Sequence, residues 1–307
     1  MKSLFFSIPG YEHIRDALIE RLDGELGEVE RRCFADGEHY QRVLQSVEGR
    51  DVILVGGTDC DSSTLLLYDL ACAITQYGAR RLILVVPYFG YATMERAVHS
   101  GEVVTAKTRA RLLSAIPRAS YGNTILLLDL HSEGIPHYFE SGMAAFHVYA
   151  KGILTPVIKD LGGDNFVLAS TDAGRAKWVE SLANDLCVDA AFLLKRRDPD
   201  GTTHVTAMNA DVRGRKVIIY DDMVRSGGSL MNAARTYLDA GAASLSAVCT
   251  HGVFTDGAFE AIQASHLFEH FVTTDSHPRA VRLNIDGLHV VSTVELFASQ
   301  INKLQRS

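Results

Sequence analysis

Apolar residues fall along the chain in short unbroken runs of Val, Ile and Leu, separated by longer stretches in which apolar and polar positions alternate at helical spacing. The runs predict strands at 51–55, 82–89, 124–130, 166–169, 190–194, 217–220, 245–250 and 289–291. A strand that is apolar on both sides of its pleat belongs in a parallel sheet with helices on both faces. The amphipathic stretches predict helices near 63–77, 105–116, 174–186 and 229–240. The last has serines near its start and Gly241 just beyond its end, the signature of a capped helix. A further helical stretch is expected over 139–160. Asp198-Pro199-Asp200-Gly201 has turn chemistry and reads as a loop after a strand.

This β-α rhythm specifies an α/β fold with mostly parallel sheets. It occurs twice, in a chain of 307 residues, about twice the length of an average domain. Two related domains are expected, 1–148 and 149–307, joined without a Pro/Gly/Ser-rich linker, with the last helix able to pack back on the first domain.

Composition narrows the function classes. With 47% hydrophobic and 22% charged residues, the chain has the makeup of a folded protein rather than a disordered one. No stretch approaches the roughly 18 consecutive apolar residues of a membrane span, and the first ten residues lack the apolar run of a signal peptide. A cytoplasmic protein without membrane association is the expectation. Thirty Lys and Arg against 37 Asp and Glu give a net charge of -7, the wrong sign for broad nucleic-acid binding. Five cysteines without a C-x-x-C pair argue against a disulfide framework or zinc cluster, and most are expected as small buried hydrophobes.

The most informative segment is Val217-Ile218-Ile219-Tyr220-Asp221-Asp222-Met223-Val224-Arg225-Ser226-Gly227-Gly228-Ser229. An apolar strand delivers two carboxylates, and a Ser-Gly-Gly-Ser loop then opens a helix. Such a loop cradles a phosphate: glycines let backbone amides approach its oxygens at a helix N-terminus, and hydroxyls add donors. Adjacent carboxylates accept hydrogen bonds from neighbouring sugar hydroxyls. The plainer reading is a polar turn with Ser229 as helix cap. Asp129-Leu130-His131 ends another apolar strand, where α/β folds place ligand groups. At Ala169-Ser170-Thr171-Asp172-Ala173-Gly174-Arg175, the carboxylate reads either as a helix cap or as an oxygen ligand for magnesium. Lys195-Arg196-Arg197 is a basic run at a strand end.

Together with Phe34-Ala35-Asp36-Gly37-Glu38, Pro87-Tyr88-Phe89-Gly90-Tyr91-Ala92 and Thr250-His251-Gly252-Val253-Phe254, these segments resemble, in order and spacing, the ribose-phosphate pyrophosphokinases, which make phosphoribosyl pyrophosphate (PRPP). The resemblance implies two phosphoribosyltransferase-like domains. It also implies transfer of pyrophosphate from ATP or another nucleoside triphosphate to ribose 5-phosphate, with Mg2+, in a homodimer or homohexamer. Carried over residue by residue, it assigns ribose 5-phosphate to Asp221, Asp222, Ser226, Gly227, Gly228 and Ser229. Nucleotide binding falls to Phe34, Asp36, Glu38, Arg96 and His131, metal binding to His131 and Asp172, and catalysis to Lys195 and Arg197.

The chain departs from the common pattern in three places. Thr93-Met94-Glu95 stands where Arg-Gln-Asp is usual, Ser100-Gly101-Glu102 where a regulatory phosphate site has a Ser-Arg pair, and Arg225-Ser226 where Asp-Thr is usual. These details resemble the second, plant-type class, which needs no inorganic phosphate, lacks ADP allostery and accepts several nucleoside triphosphates. Two other readings are a PRPP-consuming phosphoribosyltransferase, which leaves the N-terminal half without a purpose, and a noncatalytic regulatory homologue.

Overall fold

The computed structural model describes residues 2–197 and 203–306, and the side chains of all of these except 173, 195–197 and 203–207. The chain divides into two units, 1–149 with 293–307, and 150–292.

In the first unit the strands are β1 (Leu4–Ser7), β2 (Glu25–Leu26), β3 (Val29–Cys33), β4 (His39–Val43), β5 (Asp51–Val55), β6 (Arg81–Val86), β7 (Asn123–Leu128) and β8 (Met143–Val148). Helices α1 (Glu12–Leu22), α2 (Asp61–Gln76) and α3 (Thr105–Ser114) precede a 3-10 turn, Ile135–Tyr138. The sheet runs β2-β1-β5-β6-β7-β8, parallel throughout, while β3 and β4 form a separate antiparallel ribbon. Val52 to Val55 and Leu82 to Val86 are buried, as residues between two helical layers must be.

The second unit repeats this plan. After α4 (Lys151–Gly162) come β9 (Phe166–Ser170), a 3-10 turn (Ala173–Arg175), α5 (Ala176–Leu186), β10 (Asp189–Ala191), β11 (Leu193–Arg197), β12 (Thr203–Met208) and β13 (Lys216–Val224). There follow α6 (Gly228–Asp239), β14 (Ser244–Gly252), α7 (Ala258–Ala264), β15 (His270–Thr274), α8 (Pro278–Leu283), β16 (Leu288–Val291) and α9 (Val294–Arg306), the last helix belonging to the first unit. The sheet order is β10-β9-β13-β14-β15-β16, again parallel, with β11 and β12 as the antiparallel ribbon. In both sheets the first two strands are exchanged at one edge and a ribbon is inserted before the third. The order therefore reverses between β1 and β5, and between β9 and β13. Ligands of open α/β sheets bind at the carboxyl ends of strands flanking such a reversal.

Four expectations are corrected. Residues 143–148 are not helical but form the edge strand β8, with Leu126 opposite Phe146. Ala144, Ala145 and His147 carry no strand pattern, and pairing with β7 decides their state. The single strand expected at 190–194 is broken at Phe192. The Asn209 side chain accepts the Phe192 N–H at 2.7 Å and donates to Ala190 O at 3.1 Å, the backbone groups that would have continued the ladder. Helix α6 is capped by Gly227 without a side-chain bond, so Ser229 lies inside the helix rather than at its cap. Cys33, Cys60 and Cys187 are exposed and Cys72 is half-buried; Cys249 alone is buried. Cys60 accepts the Ser63 amide at the start of α2, and Cys187 closes α5 in the left-handed conformation. Both are helix-end positions at the surface. The 198–201 turn lies outside the described residues. No described helix is long and apolar enough to cross a membrane.

Candidate functional site

The sheet reversal of the second unit carries half of the predicted site residues. Tyr220 anchors β13 where its pairing with β9 ends: its ring stacks on Trp178 of α5 at 3.7 Å between centroids, and its hydroxyl shares a 2.9 Å hydrogen bond with Thr250 of β14. The two residues after it carry the carboxylates. Asp221 Oδ2 accepts the Thr171 hydroxyl at 3.1 Å, and Oδ1 accepts the Asp222 N–H at 3.0 Å. Asp222, 3% exposed, is ion-paired with Arg175. Thr171 and Arg175 both stand in the segment that follows β9, so each carboxylate is tied to the same neighbouring element. Burial, and then the charge of Asp222, push the Asp221 carboxyl well above the usual carboxylate range.

Asp172 sits between those two anchors. Its Oδ1 accepts the Gly174 N–H at 2.8 Å, the turn-capping role that was one of its two readings, and its charge contributes to the upward shift of Asp221. The three carboxylates are thus neighbours at one end of the sheet. No group of three or more His, Cys, Asp and Glu positioned to hold a metal occurs among the described residues. Magnesium does not require one, because it keeps several waters and is usually held by one or two carboxylates together with substrate phosphates. The hard carboxylate oxygens of Asp172 fit that mode, whereas Asp222 is already paired with the Arg175 cation.

Beyond Asp222, the loop is held from below. The Phe254 N–H donates to Val224 O and the Thr255 N–H to Arg225 O, both at 3.0 Å. Phe254 is fixed in turn against Phe259 and Phe271. The Thr250–Phe254 motif therefore buttresses the loop, a role the sequence did not assign. Gly227 has a positive φ of 76°, and a Cβ there would lie 2.6 Å from Ile262 Cδ1. Gly228 differs: the nearest atom to its Cβ position would be Ser226 Oγ at 3.7 Å, so the space beside it is open. Ser226 and Ser229 are exposed on either side. The first amides of α6, which have no intrahelical acceptor, are therefore flanked by hydroxyls and open space, the geometry of an anion cradle.

The corresponding reversal in the first unit is filled. Tyr11 is fully buried there, and a Cβ on Gly57 would fall 1.9 Å from its hydroxyl oxygen. The predicted residues of this unit lie elsewhere. Phe34, Asp36 and Glu38 are exposed at the tip of the β3–β4 ribbon, where Asp36 Oδ1 accepts the Glu38 N–H at 3.1 Å and Phe34 meets Tyr40 edge-on. Arg96 is 79% exposed beside Glu95. His131 follows β7 after Asp129, whose φ of 36° turns the chain sharply at the strand end. Lys195 and Arg197 lie on the backbone of β11, and their side chains are outside the described residues.

A family model for the N-terminal domain of ribose phosphate pyrophosphokinase matches residues 4–116, and one for the phosphoribosyl synthetase-associated domain matches 172–307. A ribose-phosphate pyrophosphokinase of Fusobacterium nucleatum is 31% identical over 94% of this chain and 90% of its own. One from Agrobacterium fabrum is 32% identical over 95% and 93%. The chain belongs to the ribose-phosphate pyrophosphokinase family. A phosphoribosylpyrophosphate synthetase from Mycobacterium smegmatis, 25% identical, superposes with a TM-score of 0.88 over 99% of both chains. The two-unit, parallel-sheet architecture is thus that of the family. Through their bonds to Asp221 and Asp222, Thr171 and Arg175 join the candidate site, and the sequence reading passed over both. Their signal was present: a hydroxyl and a cation flank Asp172 in the segment that also carried the metal prediction.

Proposed function

We propose that this chain is a ribose-phosphate diphosphokinase, converting ATP and ribose 5-phosphate to AMP and PRPP. The anomeric hydroxyl of the sugar attacks the β-phosphorus in line, the pyrophosphoryl unit moves intact, and AMP leaves. Asp221 and Asp222 hold the ribose hydroxyls, while the Ser226–Ser229 cradle takes the 5-phosphate on the first amides of α6. Phe34, Asp36, Glu38, Arg96 and His131 bind the nucleotide. Lys195 and Arg197 neutralise charge on the transferring group, as phosphoryl transfer demands. Magnesium brought in with the triphosphate would supply charge neutralisation on the phosphate oxygens, and His131 of the first unit and Asp172 of the second are the residues that would hold metal. The observation that carries this reading is the buttressed carboxylate-and-cradle junction at the end of β13 in a chain similar to the family along nearly its whole length.

The finer assignment is to the plant-type class. Supporting it, Glu102 Oε2 accepts the amides of Val98 at 2.6 Å and His99 at 3.0 Å, and these bonds hold its carboxyl below the usual range. The chain's own carboxylate thereby takes two donors that would otherwise face an activating phosphate. Family practice adds a homodimer or homohexamer, tolerance for other nucleoside triphosphates, and a cytoplasmic setting where both substrates reside.

The test is an incubation with magnesium, ATP and ribose 5-phosphate. Stoichiometric AMP and PRPP are expected. Release of ADP would mean an ordinary kinase, and no turnover with any triphosphate would mean a binding subunit.

A further inference from the structure

We propose that Arg175 is a positioning residue of the sugar-phosphate crevice, a permanent internal cation that fixes Asp222 and occupies the place a divalent ion would take beside the Asp221–Asp222 pair. The inference rests on the reading that this crevice binds ribose 5-phosphate.

Arg175 is where it is at a double cost. It is the N-cap of α5, where the helix dipole disfavours a cation, and its side chain is only 16% exposed. It makes no cap bond with its side chain; the guanidinium turns away from the helix to Asp222, which is itself 5% exposed in its side chain. A buried ion pair adds little net stability, so its cost is better explained by what it does to the crevice. Two adjacent uncompensated carboxylates would repel a sugar phosphate and attract Mg2+. With Arg175 in place, one of those charges is offset, Asp222 has a single orientation, and a metal ion competes with a tethered cation for the same oxygens. Ribose 5-phosphate then binds here without a divalent ion of its own, and metal binding is left to Asp172 and the triphosphate.

The experiment compares wild type with Arg175→Met and Arg175→Lys. Mn2+ is titrated without nucleotide and followed by electron paramagnetic resonance. Arg175→Met gains one bound ion per chain, and the double variant with Asp222→Asn loses it again. In steady state, the KM for ribose 5-phosphate rises about tenfold in Arg175→Met while kcat stays within about threefold, the scale of one charged hydrogen bond. Added Mg2+ draws that KM back and leaves the wild-type KM unchanged. Arg175→Lys stays near wild type. A folded Arg175→Met protein with no extra Mn2+ and an unchanged KM overturns the proposal, and so does a lysine variant as impaired as the methionine one. If Arg175→Met does not fold, Arg175→Gln, which keeps hydrogen-bond donors and loses the charge, is read in the same two ways. A wild type that forms no PRPP refutes the functional reading instead, while the Mn2+ count still decides the place of Arg175.

Discussion

Thr171, the first residue past β9, donates its hydroxyl to Asp221 Oδ2 on β13 at 3.1 Å, joining the two strands between which the order of the second sheet reverses. This bond pulls the Asp221 carboxyl down while burial and its acidic neighbours push it up. Thr171→Val keeps the shape and removes the donor. Stability is expected to fall by about 1 kcal/mol. Because the carboxyl then rises further, the pH at which ribose 5-phosphate binding is half lost should move upward. Identical KM-versus-pH profiles for the two proteins would remove Thr171 from the site.

The adjacent glycines of the cradle are glycine for different reasons, and substitution separates them. Gly227→Ala forces a Cβ into a left-handed residue and to within 2.6 Å of Ile262, so a loss of about 2 kcal/mol in urea unfolding is expected. Gly228→Ala meets no close atom and should leave stability within about 0.5 kcal/mol. Its methyl group instead enters the open space where the phosphate would sit, so the KM for ribose 5-phosphate should rise. Equal effects of the two changes on unfolding would contradict this division.

Glu102 is expected to make the enzyme indifferent to inorganic phosphate. Its carboxylate already occupies the amides of Val98 and His99, and a run of such amides otherwise favours an anion. Wild-type turnover should stay flat as phosphate is added, whereas Glu102→Ala, with both amides released, should respond to it. Strong phosphate activation of the wild type would place the chain outside the plant-type class.

Replacing Lys195 and Arg197 together with Ala should lower turnover by about 1,000-fold, the scale set by losing groups that stabilise charge in the transition state. Calorimetric binding of ribose 5-phosphate should survive, because the cradle and carboxylates belong to β13 and α6. Near-normal turnover would refute the catalytic assignment.

His277 gives the second unit an acid limit. Burial lowers its pKa to about 3, helped by the like charges of His251 on β14 and Arg279 and Arg282 on α8. The unfolded residue titrates near 6.5, so between pH 6.5 and 3 the unfolded chain binds the extra proton. Stability is therefore complete above about pH 6.5 and falls on acidification, by about 2 kcal/mol at pH 5 from this residue. His277 Nδ1 also accepts the Arg279 amide at the start of α8. Asn can keep that cap without titrating. His277→Asn should flatten the pH dependence of urea unfolding; parallel slopes in the two proteins would exclude His277 as its source.

The sequence by itself determined the two α/β halves. Runs such as Val52–Val55 and Val217–Tyr220 are apolar on both faces, and only a covered parallel sheet buries both. It also marked the candidate phosphate cradle, since an apolar strand, two carboxylates and Ser-Gly-Gly-Ser are contiguous and their chemistry is local. Tertiary structure decided what depended on distant partners. Residues 143–148 are a strand because β7 supplies the ladder, and the 190–194 run breaks because Asn209 reaches back from beyond β12. Thr171 and Arg175 became site residues because β9 lies against β13, about fifty positions later in the chain. Tyr11 fills one sheet reversal while the other keeps its carboxylates and open cradle. Periodicity reports which face of an element is buried. It carries no information about which element lies opposite, and the pairing of Arg175 with Asp222 belongs to that second kind of fact.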